Sequence, residues 1–71
     1  MDKMYVYLIK SQKRLVITKK NYSDNDYLML TNFESYNESL MMVSAKSFCC
    51  GYIMANNVKI DVINDIEEFK L

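Results

Sequence analysis

Short apolar runs separated by polar breaks occupy the N-terminal third of the chain. The runs 4–9 and 15–18 are rich in β-branched and aromatic residues, which favour β-strands, and the polar stretch 10–14 between them fits a hairpin loop. A second polar segment, 21–26, is rich in residues that form turns, and the apolar run 27–33 follows it. The pattern therefore predicts a hairpin, a loop and a third strand.

The clearest alternation of apolar and polar residues lies in the segment 58–63. Another apolar run, 52–55, precedes it, and the intervening Asn56-Asn57 suits a two-residue turn because Asn tolerates positive φ. The pattern predicts a second hairpin here. The residues expected to face the core are Val58, Ile60 and Val62, and those expected to face water are Lys59 and Asp61.

The segment 35–51 fits two different patterns. Ser35 followed by Glu38 matches a helix capping box, and apolar residues then recur at helical spacing. The run 40–43, however, is apolar on every side, and the polar pair Lys46-Ser47 fits a turn between two strands. We favour strands in this segment, with Gly51 at a bulge or turn.

Together these elements predict one small domain over residues 1–71. The expected fold is mainly β, a small antiparallel sheet of about five or six strands curled into a partial barrel. The alternative is an α+β fold with one helix over residues 36–48 packed on the sheet. Residues 64–71 are expected to form a short helical turn or a terminal strand that closes the core with Ile66, Phe69 and Leu71.

Length and composition restrict how such a domain is stabilised and where it works. A chain of 71 residues buries only about 60% of its unfolded surface, so its stability is expected to be marginal and a homo-oligomer would bury more. No apolar run approaches the roughly 20 residues of a membrane span, and no cleavage-site pattern follows the N-terminus. Two unpaired cysteines fit a reducing compartment, so we expect a cytoplasmic protein that makes no contact with membranes.

The chain lacks the residues on which most catalytic sites depend. It contains no histidine, which excludes histidine-dependent triads and ordinary zinc enzymes, and its single glycine excludes glycine-rich phosphate loops. The adjacent cysteines Cys49-Cys50 form no redox or zinc motif, so at least one is expected to be a small core residue. The segment 24–26 opens like a calcium loop, but no glycine or bidentate acid follows at the required positions. We predict a protein with no catalytic residues, no metal ligands and no cofactor.

One short segment invites comparison with a known family. The opening run 4–11 (MYVYLIKS) resembles the first strand of the GIY-YIG endonucleases. That family continues with a second Tyr-Ile-Gly strand, a catalytic arginine on a helix and a metal-binding glutamate. The corresponding run here, 15–18 (LVIT), has neither the tyrosine nor the glycine, and no arginine follows Arg14. The residues therefore assign the chain to no family.

Charge is distributed unevenly along a chain whose net charge is zero. Residues 1–20 carry six cationic side chains and one acidic side chain, whereas residues 21–71 carry three and eight. A basic hairpin beside tyrosines is typical of a surface that binds phosphates or an acidic protein, although lysines also protect sheet edges. The candidate partner-binding residues are Lys10, Lys13, Arg14, Lys19, Lys20 and Tyr22.

By elimination, the sequence predicts a non-enzymatic interaction or regulatory protein that binds and modulates a larger macromolecule. Its composition, rich in Asn, Lys, Ile and Tyr, indicates the low-GC coding that is common among phages, plasmids and some bacteria, and an inhibitor of a host protein encoded by a phage or plasmid is one such role. A protein is the expected partner, and the alternative is a small barrel that binds single-stranded RNA or DNA through the basic hairpin. The methionines expected to fill the core are Met29, Met41, Met42 and Met54.

Overall fold

A computed structural model describes residues 2–65 of the chain. They form one four-stranded sheet and one helix. In chain order the elements are β1 (Asp2–Ile9), β2 (Arg14–Thr18), β3 (Tyr27–Ser35), α1 (Glu38–Asn56) and β4 (Asp61–Asn64).

The sheet has the strand order β3-β1-β2-β4. β1 pairs antiparallel with both β2 and β3, and a bulge interrupts the β1–β3 register between Val6 and Tyr7. The three N-terminal strands and the loop before β3 confirm the prediction from the apolar runs. β4 pairs parallel with β2, because α1 carries the chain across the sheet from one edge to the other.

The main core lies between α1 and one face of the sheet. Alternate residues of β1, Met4 and Val6, point to this face together with Leu15 and Ile17 of β2. From the helix they meet residues that recur at helical spacing. The helical residues of this core are Met41, Met42, Ala45 and Cys49.

The opposite face of the sheet carries a second buried layer. Tyr7 and Val16, neighbours in the β1–β2 register, are both buried there, and so is Thr18. The loop between β2 and β3 lies against this layer: the Tyr7 hydroxyl donates to Asn21 Oδ1 at 3.1 Å and accepts from the Tyr22 backbone N–H at 3.0 Å. Both faces of the two central strands are therefore covered.

The helix begins and ends at asparagines. Asn37 is the N-cap, and its side chain accepts a hydrogen bond from the Leu40 N–H at 3.0 Å. The expected cap, Ser35, lies two residues before Asn37, and its hydroxyl accepts a hydrogen bond from the Asn37 N–H at 3.0 Å. At the other end Asn57 is left-handed (φ 50°, ψ 48°), and its N–H bonds the carbonyls of Ile53 and Met54.

These observations correct the favoured fold. The prediction of a mainly β fold, with five or six strands in a partial barrel, is not confirmed in residues 2–65. The alternative, a sheet with one packed helix, fits. The helix extends beyond the predicted 36–48, so the strands favoured for 35–51 and 52–55 are wrong. Asn57 does adopt positive φ, but it ends a helix rather than turning a hairpin, and Gly51 is helical rather than in a bulge or turn.

Several residues predicted to be buried are not. Val58 and Val62 are exposed, and Ile60 alone of the three predicted inward residues packs against the core. Met29 and Met54 are also exposed, because one lies on the edge strand β3 and the other on the outer side of α1. The predicted closing role of Ile66, Phe69 and Leu71 concerns residues outside the described part.

Candidate functional site

The turn between β1 and β2 presents cations on a fixed backbone. Lys13 ends this turn in the left-handed region at φ 51°. Asp26, next to the start of β3, accepts hydrogen bonds from the Ser11 N–H at 2.8 Å and from the Ser11 hydroxyl at 2.5 Å. The Lys10 N–H also donates to the Asp26 carbonyl at 2.9 Å. The turn is thus tied to the neighbouring strand rather than projecting freely.

The hydrogen bonds from Ser11 change the pKa of the Asp26 carboxylate. The Ser11 side chain, and then the Ser11 backbone N–H, lower the pKa of Asp26 below its ordinary value of 3.8, and the charge of Lys10 adds to the effect. Asp26 is therefore ionised at neutral pH, and its charged form holds the turn. This carboxylate therefore has a structural role in the segment 24–26 that resembles the opening of a calcium loop.

The segment after α1 reaches the same end of the molecule. The left-handed Asn57 reverses the chain, and the Val58 N–H bonds the Ile53 carbonyl at 3.4 Å. β4 then begins at Asp61, which is level with Arg14 in the parallel register. Residues 58–60 consequently lie beside the β1–β2 turn, although the two segments are far apart in sequence.

A groove separates the turn from this segment. Two adjoining cavities of about 490 and 660 Å³ share Lys13, Val58, Lys59 and Ile60 among their lining residues. Volumes of this size are in the range of binding pockets. We name this surface the hairpin groove; its apolar floor is Leu8, Ile53, Val58 and Ile60, and its polar rim is Lys10, Gln12, Lys13, Arg14, Lys59 and Asp61.

The rim of the hairpin groove is predominantly positive. It carries four cations, Lys10, Lys13, Arg14 and Lys59, against the single carboxylate of Asp61. Within residues 2–65, none of the four cations forms an ion pair; the two ion pairs found there involve other lysines. The cations of the groove are thus available to neutralise an incoming anionic group.

The sequence-predicted site residues divide into two groups. Lys10, Lys13 and Arg14 come together at the hairpin groove, as their closeness in the sequence indicated. Lys19 and Lys20 follow the other end of β2, about 15 Å away at 3.3 Å per residue. One basic surface containing all five cations does not form.

At this far end two of the three predicted residues, Lys19 and Tyr22, have side-chain partners within the chain. Lys19 forms an ion pair with Glu38 at the start of α1. Tyr22 stacks on Tyr27 with ring centroids 4.4 Å apart and meets Tyr7 edge to face at 5.6 Å. One ring face of Tyr22 is therefore used inside the molecule.

Sequence reasoning missed Lys59 and the apolar floor of the groove. Lys59 was assigned to the water-facing side of a strand, and it is indeed exposed. No local signal places it opposite Lys13, because that proximity depends on the length of α1 and on the parallel pairing of β4. Lys13 and Lys59 could have been placed together only from the α+β alternative with a parallel pairing of β2 and β4.

The two cysteines of α1 differ in exposure, and the acids of residues 2–65 form no metal cluster. Cys49 is buried, and burial followed by the neighbouring Cys50 raises the pKa of its thiol to about 11, so the nucleophilic thiolate is disfavoured. Cys50 is exposed on α1, and both thiols are free. Across residues 2–65, no three side chains of metal-binding type are grouped as a metal site.

Comparison with known proteins leaves the groove as the main guide to function. Searches of protein-family models, curated proteins and solved structures found no match to this chain. In the described part of the chain, no helix has the length and apolar character required to cross a bilayer.

Proposed function

We propose that this protein is a non-enzymatic interaction domain that binds an acidic segment of a partner protein in the hairpin groove and thereby modulates that partner. The observation that carries the proposal is the juxtaposition of four cations with an apolar floor in a groove of binding-pocket size. The absence of histidine from the sequence supports a role without catalysis.

The apolar floor and the cationic rim of the groove favour a ligand that has both an apolar and an acidic part. An apolar side chain inserted between Leu8 and Ile60 would contribute about 1.5–3 kcal/mol if fully buried. Each exposed ion pair at the rim adds only about 0.2–1 kcal/mol, but the four cations attract acidic segments at long range and disfavour basic ones. The ligand we propose is therefore a short acidic peptide segment with one apolar anchor residue.

A single-stranded nucleic acid fits this arrangement less well. Such binding normally combines a continuous basic track with exposed aromatic rings for stacking. Here Tyr22 is stacked on Tyr27, and Lys19 is paired with Glu38. The two free cysteines support a reducing, cytoplasmic setting for the protein interaction.

The decisive experiment uses the purified full chain and two kinds of probe. A displayed library of short random peptides is selected on the chain, and the affinity of the enriched peptides is measured by fluorescence anisotropy at several salt concentrations. Oligothymidylate is titrated in parallel. We expect enrichment of peptides with acidic residues around one large apolar residue, and we expect binding that weakens with salt.

Matched variants locate the binding site. The double substitution Lys13→Glu with Lys59→Glu is expected to weaken peptide binding at least tenfold, or about 1.4 kcal/mol. The control, Lys20→Glu with Lys46→Glu, changes net charge equally at two exposed lysines that line neither cavity of the groove, and it should leave affinity within about twofold. Val58→Ser should weaken binding without altering its salt dependence, because it removes part of the floor.

Three results would refute the proposal. One is a library that yields no acidic peptide, and another is equal weakening by the two double variants. The third is oligothymidylate binding tighter than that of every selected peptide and sensitive to Lys13→Glu, which would assign the groove to nucleic acid instead.

A further inference from the structure

The two cavities of the hairpin groove are lined by different charges. Two of the rim lysines line both cavities and therefore do not distinguish them. The cavity of about 490 Å³ adds one further cation, Lys10, beside Leu8. The cavity of about 660 Å³ adds two opposite charges, Arg14 and Asp61. We name the first cavity the Leu8 half of the groove and the second the Asp61 half.

Arg14 and Asp61 are neighbours at the first residues of two paired strands. They are level in the parallel register of β2 and β4, and neighbouring strands lie about 4.8 Å apart. Both side chains are exposed, and neither forms an ion pair within residues 2–65. Asp61 therefore offsets the charge of Arg14 in its half of the groove. Among the described residues, none that line the Leu8 half is acidic.

The sheet register sets the distance between the two halves. Leu8 is level with Leu15 of β2, and Leu15 is level with Val62, the residue after Asp61. The backbones of Leu8 and Asp61 are thus two strand spacings, or about 10 Å, apart. An extended peptide covers this distance with about three residues at roughly 3.3 Å each. The two halves can therefore contact residues of one ligand that are about three positions apart.

A ligand carboxylate has different surroundings in the two halves. In the Leu8 half the lining charges are three lysines, so a carboxylate is attracted there. In the Asp61 half the repulsion from Asp61 opposes the attraction of Arg14, so a carboxylate gains less. An uncharged polar residue suits this half better, because Arg14 offers it a hydrogen-bond donor and Asp61 an acceptor. The groove therefore distinguishes the two ends of a ligand.

We propose that Asp61 is the specificity-determining residue of the hairpin groove. It confines the acidic residue of the ligand to the Leu8 half, beside Lys10, and favours an uncharged polar residue about three positions away. The partner segment thus has its acid on only one side of the apolar anchor. This inference rests on the proposed binding of acidic peptides and specifies their sequence.

Peptide series measured by fluorescence anisotropy on the full chain test this inference. An acidic peptide selected on the wild type is made with Glu or Gln at each position about two to four residues from its anchor, on both sides. On one side, Glu should bind the wild type about two- to fivefold more tightly than Gln, the range for one exposed ion pair, and Lys10→Gln should remove this gain. On the other side, Glu should gain nothing in the wild type but about two- to fivefold in Asp61→Asn.

The ratio of the Glu and Gln affinities is taken within each variant, so that partial unfolding of a variant does not change it. The control Asp2→Asn removes another exposed acid, which lines neither cavity, and should leave every ratio unchanged.

The failure of this inference is distinguishable from that of the proposed function. If no acidic peptide is selected, or if binding survives Lys13→Glu with Lys59→Glu, both are overturned. If acidic peptides bind and that double variant weakens them, but Asp61→Asn leaves every ratio unchanged, only the role of Asp61 is overturned. Equal gains from Glu on both sides of the anchor in the wild type would also overturn it.

Discussion

The two ends of the β1–β2 hairpin carry similar residues in opposite situations. At the turn end, Lys13 and Arg14 line a groove and have no ion-pair partner among residues 2–65. At the other end, Lys19 is paired with Glu38, and the buried Thr18 hydroxyl donates to Asp65 at 3.2 Å. The comparison teaches that sequence density of lysine and tyrosine does not identify a binding surface. A binding surface is indicated by the charged and aromatic side chains that have no partner within the folded chain.

The free energy of unfolding should be more sensitive to substitution at the end of the hairpin near Lys19 than at the turn. Tyr7 is 1% exposed, and its hydroxyl forms hydrogen bonds with Asn21 and Tyr22, which lie at this end. Tyr7→Ala is expected to destabilise the protein by about 3–5 kcal/mol, as for other buried aromatic side chains, and urea denaturation measures the loss.

Two variants sharpen that test. Tyr7→Phe should cost about 1–2 kcal/mol, because it leaves the Tyr22 N–H without its acceptor. Tyr36→Ala removes a tyrosine that is 84% exposed and should change stability by less than about 0.5 kcal/mol. If Tyr36→Ala lowered stability as much as Tyr7→Ala, the distinction between buried, hydrogen-bonded tyrosines and exposed ones would be contradicted.

The turn end should respond in the opposite direction. Lys13 adopts φ 51°, where a side chain costs about 1–2 kcal/mol and glycine is unstrained. After the added flexibility of the unfolded chain is deducted, Lys13→Gly is expected to stabilise the fold by up to about 1 kcal/mol while weakening peptide binding. Thermal melting and anisotropy measure the two effects. Stabilisation with unchanged binding would remove Lys13 from the site.

The smallest expected effect concerns pH at the turn. Because Ser11 lowers the pKa of Asp26 in the folded state, the charged carboxylate stabilises the fold fully above its unfolded pKa, near 3.8. This contribution is lost as the pH falls through the lower, folded pKa. The Ser11 amide resonance, followed by NMR from pH 6 to acid, should report the transition.

Asp26→Asn provides the control for that titration. It removes the carboxylate and should abolish the pH-dependent shift of the Ser11 amide. A shift of the same size in the variant would mean that another group governs the turn.

How far the sequence predicted the fold differs between the two halves of the chain. The first three strands follow from local signals, since their apolar runs are bounded by polar loops. The helix was predicted only as the alternative, over residues 36–48, because Leu40 and Val43 on its solvent side are themselves apolar and hide the contrast between the two sides of α1. Asn57 was ambiguous because positive φ suits a hairpin turn and a helix C-cap equally.

The candidate site was predicted in part for similar reasons. Lys10, Lys13 and Arg14 lie within five consecutive residues at one turn, so their proximity needed no knowledge of the fold. Lys59 and the floor of the groove require the long-range pairing of β4 with β2. The loss of Lys19 from the site likewise depends on Glu38, a residue 19 positions further along the chain.

The placement of β4 has a consequence for how the native state opens. Among residues 2–65, this four-residue strand is paired with β2 alone, whereas β1 has paired strands on both sides. In hydrogen exchange, the β4 amides should therefore lose protection first, through a local opening, and the β1 amides should exchange only with global unfolding. Each such opening turns β2 into a temporary sheet edge, which a strand from another molecule can occupy by domain swapping.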